Sequence, residues 1–309
     1  MKIINQTAGI LPQESPMKHI EKIGRICYKS EDKITDGTDR KFVQMLFNNK
    51  HHAMLEHYRF ILKVDRGIYE YLSKVAPRHI EFSSYNDRLL ISFNARALLE
   101  LPERCRGVQF GYLKYAVKSI RDELITHIVQ KYDCYELFGL NRDEQLPSAD
   151  TIVEFIENNR NAMSKEEWNI HGWFSAHIIT DRGISHEIVR HREETSFAQE
   201  STRYCNYGHN KFNEEIAVID QGLEHRNYNI WKINCEMSEN AYFDLINNGA
   251  TPQFARSVLP TCLKTEIVMT APIYEWEHFF DLRMRGTTGT PHPLIKKIAD
   301  MIYLDYIGG

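Results

Sequence analysis

The sequence predicts an α+β fold, because helices and strands both occur without the regular strand–helix alternation of a parallel sheet. Two observations carry this. Apolar residues recur at three- and four-residue steps in several windows, most clearly Leu113, Ala116, Val117, Ile120, Leu124 and Ile128 within 107–131. Between such windows stand short runs of bulky apolar residues, Tyr58–Val64 and Trp173–Thr180, of strand length.

Taken in order, Ile20, Ile23, Ile26 and Cys27 share one helical face over 16–30, and 38–49 forms a second helix ending near Asn48-Asn49. The run 58–64 is a strand, Ala95 to Leu101 an amphipathic helix, and 107–131 the clearest helix. Residues 139–170 are more polar, contain Pro147, and predict loops and short helices. Strand 173–180 turns through Asp181-Arg-Gly183 into a helix expected to start near Ser185 as its cap. A helix over 227–248 is ended by Gly249; Pro252 opens another, which Pro260 stops. Residues 264–270 are strand-like, and helices over 273–284 and 293–307 complete the chain. No internal repeat of fixed period and no low-complexity segment is visible. One domain, 1–309, is expected, with an insertion at about 66–168.

With 42% apolar residues, the 309-residue chain can bury a sizeable core. Its net charge of −4 gives no reason to expect nucleic acid as a partner, so an anion site must come from local Arg and Lys clusters. The six cysteines, at 27, 105, 134, 205, 235 and 262, form no C-x-x-C pair and are expected as scattered reduced thiols. The first residues, MKIINQTAGILPQ, lack a signal-peptide core, and no apolar run approaches the roughly 20 residues of a spanning helix. A soluble, cytoplasmic protein without a membrane partner is expected. His51-His52 lacks the further ligands that zinc needs, so no metal is expected. No G-x-G-x-x-G follows a strand and no phosphate-binding loop of the G-x-x-x-x-G-K type appears.

The chemistry concentrates in Arg190-His191-Arg192-Glu-Glu-Thr-Ser196-Phe-Ala-Gln199-Glu200-Ser201-Thr202-Arg203-Tyr204. Arg190, Arg192 and Arg203 offer forked donors that match phosphate oxygens, and the Ser201 hydroxyl can complete the cradle. Glu187, Gln199 and Glu200 can hydrogen-bond a sugar or a base edge. On composition alone, a solvated, salt-bridged helix end explains the run equally well.

The order of these residues resembles the signature of flavin-dependent thymidylate synthases, R-H-R, seven residues, then S and x-R-Y. Here eight residues separate Arg192 from Ser201, and the extra one falls among Glu193, Glu194 and Thr195. The preceding Asp181–Val189 also resembles that family. So do Lys22–Ser30, His51-His-Ala-Met-Leu-Glu-His57, Ala255-Arg-Ser-Val-Leu-Pro260 and Trp276-Glu-His-Phe-Phe-Asp-Leu-Arg283, all in family order. The resemblance covers roughly 15–65 and 170–305. It implies the thymidylate synthase-complementing fold, mixed helices around a small sheet, with an inserted, mostly helical region.

The resemblance further implies reductive methylation of dUMP to dTMP, with 5,10-methylenetetrahydrofolate as carbon donor and FAD, reduced by NADPH, as hydride donor. No Cys nucleophile is expected. It places His51, Ala53, Arg190, His191, Arg192, Gln199 and His278 at FAD. It places Glu187, Arg190, Gln199, Glu200, Ser201, Thr202, Arg203, Arg256 and Arg283 at dUMP. Arg283 is the expected catalytic cation beside the pyrimidine, favouring ionisation of N3, with Arg285 as a rival separated from it only by spacing. Asn206, Tyr207 and His209 continue the signature without an assigned role. Asn94-Ala-Arg96 resembles a flavin-contact motif that the family carries near its C-terminus, where this chain has Pro272-Ile-Tyr274. A homotetramer with sites shared between subunits is implied. A catalytically degenerate relative that still binds nucleotide and flavin is the alternative, and a nucleic-acid-binding protein using the Arg-rich run is a second.

Overall fold

The computed structural model describes residues 1–75, 79–104, 111–143, 146, 153–203, 207 and 215–308. Cys105, Pro147, Tyr204, Cys205, Asn206 and His209 lie outside the described residues. In chain order the elements are β1 (Lys2–Ile4), β2 (Thr7–Ile10), α1 (Pro16–Tyr28), α2 (Thr38–Asn48), a 3₁₀ turn (His52–His57), β3 (Arg59–Val64), α3 (Arg66–Val75), β4 (Ile80–Tyr85), β5 (Arg88–Asn94), α4 (Ala95–Arg104) and α5 (Gly111–Tyr132). Then come β6 (Val153–Phe155), α6 (Lys165–His171), β7 (Trp173–Asp181), α7 (Arg182–Ile188), β8 (Ser196–Gln199), β9 (Ala217–Ile219), α8 (His225–Asn247) and α9 (Pro252–Ala255). The chain ends with β10 (Lys264–Pro272), α10 (Ile273–Phe280), a π turn (Asp281–Arg285) and α11 (Pro293–Gly308).

The α+β class is as the sequence predicts, with two four-stranded sheets instead of one small one. The first has the order β4-β5-β3-β6 and the second β2-β7-β10-β8, and every pairing in both is antiparallel. A short parallel pair, β1-β9, stands apart. The stretch 66–168, expected as an insertion, contributes α3, α4, the 22-residue α5 and strands β4, β5 and β6, and all three strands join β3 in the first sheet. Phe60, Leu62, Leu90, Ile91 and Phe93 bury one core with α2, α4 and α5. Ala176, Ile178, Ile267 and Met269 bury a second with α10 and α11, where Trp276 stacks on Phe174 at 4.5 Å between ring centroids.

Two local expectations are corrected. The helix after β7 starts at Arg182 and its cap is Asp181, whose Oδ1 accepts from the Ile184 amide at 2.7 Å; Ser185 lies inside the helix. The strand runs on to Asp181 and so brings a carboxylate to the N-cap first, which satisfies an amide the helix cannot. The helix expected over 273–284 ends as α-helix at Phe280 and continues as the π turn, closed by Gly286 in the left-handed region at φ +69°. No described helix is long and apolar enough to cross a membrane.

Candidate active site

The site grows from two junctions of the second sheet. At the end of β7, Asp181 starts α7, and the chain leaves α7 through Arg190-His191-Arg192 into β8. At the end of β10, α10 leads to the π turn that carries Arg283. Antiparallel pairing of β10 with both β7 and β8 brings these junctions together.

Arg283 is the centre of the cluster. Its Nη1 donates to Glu187 Oε2 at 2.9 Å, its Nη2 to the Glu187 carbonyl at 3.4 Å, and its Nε to His191 Nε2 at 3.1 Å. To accept that bond His191 must be neutral at Nε2. Burial, then the charges of Arg283 and His278, push its pKa down to about 4. The His278 ring lies 5.9 Å from that of His191, and Phe279 closes over it at 5.0 Å. Thus Glu187, His191, His278 and Arg283 meet as expected. Arg285 turns instead to Asp281 (2.8 Å) and Glu277 (3.2 Å), away from the cluster. The π turn separates the two arginines: its wider register swings Arg283 inward.

The remaining signature residues line strand β8 and the turn beyond its end. Gln199 Nε2 donates to Ser185 Oγ (2.8 Å) and Thr265 Oγ1 (3.1 Å). The buried Glu200 carboxylate accepts from Lys264 Nζ at 3.0 Å, and Arg182 Nη2 donates to its carbonyl at 2.8 Å. Glu200 is therefore a structural anchor of the strand end. Ser201 Oγ accepts from the Arg203 amide at 3.3 Å, and Arg256 Nη1 donates to Thr202 Oγ1 at 3.3 Å. Arg256 thus stands beside the Ser201–Arg203 turn although 54 positions separate it from Thr202. Arg190 and Arg192 are exposed, and their guanidinium groups have no partner among the described residues. Unpaired guanidinium groups on either side of a neutral imidazole form a donor set that suits a diphosphate, so these residues fit a dinucleotide such as FAD.

His51 and Ala53 are not joined to this cluster by any described bond. Both are exposed near the start of the 3₁₀ turn, and His51 Nδ1 lies 3.1 Å from Tyr28 Oη. The far end of that turn does touch the signature: Ser196 Oγ donates to Glu56 Oε2 at 3.1 Å.

Several residues of the site escaped the sequence. Lys264, Glu266, His177 and Lys29 form a charged base under Glu200; His177 Nε2 lies 2.9 Å from Glu266 Oε2, and both lysines pair with Glu266. Burial alone would raise the Glu266 pKa, but His177, Lys264 and Lys29 overcome it and hold the carboxyl below its usual range. The stretch Glu193–Thr195, where the extra signature residue falls, makes long-range contacts through Glu194. Glu194 adopts φ +47° and sends its carboxylate to His79 Nδ1 (3.0 Å) and Arg59 Nη1 (3.8 Å) across the molecule. A small cavity there is lined by Glu56, His79, Asn94, Arg96, Ala97, Glu194, Thr195 and Ser196. Arg96 is tied to Glu56 and Glu100, and Asn94 Oδ1 accepts from the Ala97 amide at 2.9 Å. The only signal for these contacts was Asn94-Ala-Arg96 itself; Arg59 and His79 had none.

Comparison with known proteins gives the family. The family model described as thymidylate synthase complementing protein matches residues 134–303, more than half of the chain. That range holds the signature, Arg256, His278 and Arg283, and does not reach the resemblance seen over 15–65. The chain is 27% identical over 183 residues to the flavin-dependent thymidylate synthase of Geobacter sulfurreducens, covering 56% of this chain and 77% of that protein. It is 33% identical over 104 residues to the enzyme of the same name from Pyrococcus furiosus, covering 33% of this chain but only 42% of that protein. Among solved structures, the UMP/dUMP methylase PolB of Streptomyces cacaoi with bound 5-Br dUMP aligns over 100% of this chain and 93% of its own at a TM-score of 0.41 and 13% identity. By the extent of the family match and the signature residues within it, the chain belongs to the thymidylate synthase complementing protein family.

Proposed function

We propose that the protein is a flavin-dependent thymidylate synthase that methylates dUMP to dTMP. It would take the carbon from 5,10-methylenetetrahydrofolate and use FAD reduced by NADPH. The observation that carries this reading is the Arg283 guanidinium, fixed by Glu187 and the neutral His191 and adjoining the unpaired Arg190 and Arg192. The Nη–H donors that Glu187 leaves free can meet a pyrimidine edge. A cation held rigidly there lowers the cost of negative charge at N3 and O4 without reorganising during reaction. Ser201, Thr202, Arg203 and Arg256 would hold the phosphate. Gln199 and Glu200 would stand along the nucleotide, Glu200 chiefly by fixing the strand end. Arg190, His191, Arg192, Gln199 and His278 would face FAD, with His51 and Ala53 at its edge. When bound, the reduced flavin supplies the hydride; the chain's residues bind, orient and exclude water. A cytoplasmic homotetramer belongs to the same reading.

A relative that binds nucleotide and flavin without turnover is the second reading. Pro272–Tyr274 at the family's flavin-contact position favours it. Against it, Arg96 of α4 reaches the signature loop through Glu56 and Ser196, Asn94 lines the same small cavity, and the two would restore the missing contact. Purified protein is expected to be yellow, or to take up added FAD, and to release tritium from 5-labelled dUMP when folate and NADPH are present. Flavin uptake without tritium release would establish the second reading. Protein that binds neither flavin nor dUMP would end both.

A further inference from the structure

Asp65-Arg66-Gly67-Ile68 and Asp181-Arg182-Gly183-Ile184 are the same four residues. Each run closes a central strand, β3 or β7, and opens a helix, α3 or α7. Each aspartate caps its helix in the same way: Asp65 Oδ1 accepts from the Ile68 amide at 2.8 Å, as Asp181 Oδ1 does from Ile184 at 2.7 Å. The succession of elements downstream also matches. After α3 come edge strand β4, strand β5, helix α4 and long helix α5; after α7 come edge strand β8, strand β10, helix α10 and long helix α11. The sheet orders β4-β5-β3-β6 and β8-β10-β7-β2 are the same order, antiparallel throughout.

The fourth strand is exchanged. β2, which leads into the first set, pairs with β7 of the second; β6, which leads into the second, pairs with β3 of the first. Two buried histidines cross the same way. His57, before β3, reaches Thr270 Oγ1 of β10 at 2.7 Å, and His171, before β7, reaches Ser92 Oγ of β5 at 2.8 Å.

We infer that the chain is a tandem of two interlocked copies of one fold unit, of which only the second keeps a nucleotide site, so that the 309-residue chain binds one nucleoside monophosphate and not two. The copies differ where the anion would sit. The chain leaves α7, which ends at Ile188, through Arg190-His191-Arg192, whereas the counterpart stretch between α3, which ends at Val75, and β4, which starts at Ile80, holds Arg78-His79 with no second arginine, and His79 is taken by Glu194 at 3.0 Å. Between β8 and β10 the second copy inserts residues 200–263, with Ser201, Thr202, Arg203 and Arg256; between β4 and β5 the first has only Asn86 and Asp87. The stretch 66–168 then comprises the rest of the first copy and the lead into the second. The first copy serves as an in-chain partner: its Glu56 and Arg96 brace Ser196 of the signature.

This inference rests on the proposed nucleotide site, and titration calorimetry of dUMP into the full-length, FAD-loaded protein tests it. One dUMP per chain is expected, with affinity lowered at least tenfold by Arg190→Ala and unchanged by Arg78→Ala. Two per chain, or a second binding phase lost in Arg78→Ala, would overturn the inference while leaving the activity intact. No dUMP bound at all would instead remove the proposed activity, and with it the single site. The interlock is read separately by hydrogen exchange in His57→Leu: β5 and β10 amides are expected to lose protection together, and loss confined to β10 would refute it.

Discussion

The turn between β4 and β5 and the excursion between β8 and β10 join equivalent strands in opposite ways. Asn86 and Asp87, at φ +48° and +60°, close a two-residue hairpin of the kind whose twist suits its strands. The other connection, 200–263, carries its own strand β9, helices α8 and α9, and a separate small core around Val218, Tyr242 and Leu263. The sheet needs neither the length nor the charge of that excursion, because the first sheet forms without it. The excursion carries Ser201, Thr202, Arg203 and Arg256, the residues proposed to hold the phosphate. The proposed phosphate-binding part of the site thus lies in the one connection that departs from the shortest solution, while both sheets keep the same scaffold.

The largest effect is expected at Arg283. Removing its guanidinium in Arg283→Ala should lower dTMP formation about 10²–10³-fold; Arg285→Ala, on the outer side of the π turn, should leave tritium release nearly unchanged. Equal losses in both variants would erase the distinction between the two arginines. Next, Arg256→Ala removes a cation from the excursion and should raise KM for dUMP about 10–100-fold with kcat nearly constant. A fall in kcat alone would move Arg256 out of the phosphate cradle.

The duplicated Asp-Arg-Gly turns allow a sharper comparison. Arg182 donates to the Glu200 carbonyl, whereas Arg66 is exposed and, among the described residues, meets Glu70 alone at 3.7 Å. Arg182→Ala should cost about 1–3 kcal/mol in chemical denaturation, and Arg66→Ala less than about 0.5 kcal/mol.

The crossing histidines predict a pH dependence shared by both sheets. Burial lowers the pKa of His57 and of His171 to about 3, with His19 and the Arg59 and Arg88 charges adding to it respectively. Both folded values lie below the ordinary histidine value of 6.5. The unfolded chain therefore binds more protons in that interval, and stability falls as pH drops from about 6.5 towards 3. Each histidine should account for about 2 kcal/mol between pH 7 and pH 5. His171→Gln should flatten that slope in urea melts by about one proton; an unchanged slope would mean His171 is protonated when folded. The smallest effect belongs to the short hairpin. Asp87→Gly, at a positive φ, should add a few tenths of a kcal/mol, about 0.5 at most, to stability.

Much of the site was legible because its residues are contiguous. Arg190 to Arg203 is one run and Trp276 to Arg283 another, and the resemblance of both to flavin-dependent thymidylate synthases, not their spacing, put Glu187, His191, His278 and Arg283 at one expected site. The helix starting at Pro252 and the strand at Lys264 were equally visible from proline and β-branched residues. The duplication was not, because beyond the four shared residues the copies differ in sequence and agree only in which strand pairs with which. Long-range pairing leaves no local periodicity. The contacts of Glu194 with Arg59 and His79 escaped for the same reason: they join segments more than a hundred residues apart. The π turn escaped because its apolar spacing is that of an ordinary helix until Phe280.

The exchange of β2 and β6 has a consequence for the order in which the chain can be finished. Residues 7–10 find their partners only at 176–179, so β2 stays unpaired until β7 has been synthesised. β3 in turn waits for 153–155. Until then the nascent chain presents one bare strand edge on β3, open to pairing with other chains. A chain stopped before residue 153 would leave that edge permanently exposed, which makes translation past β6 the step that covers it.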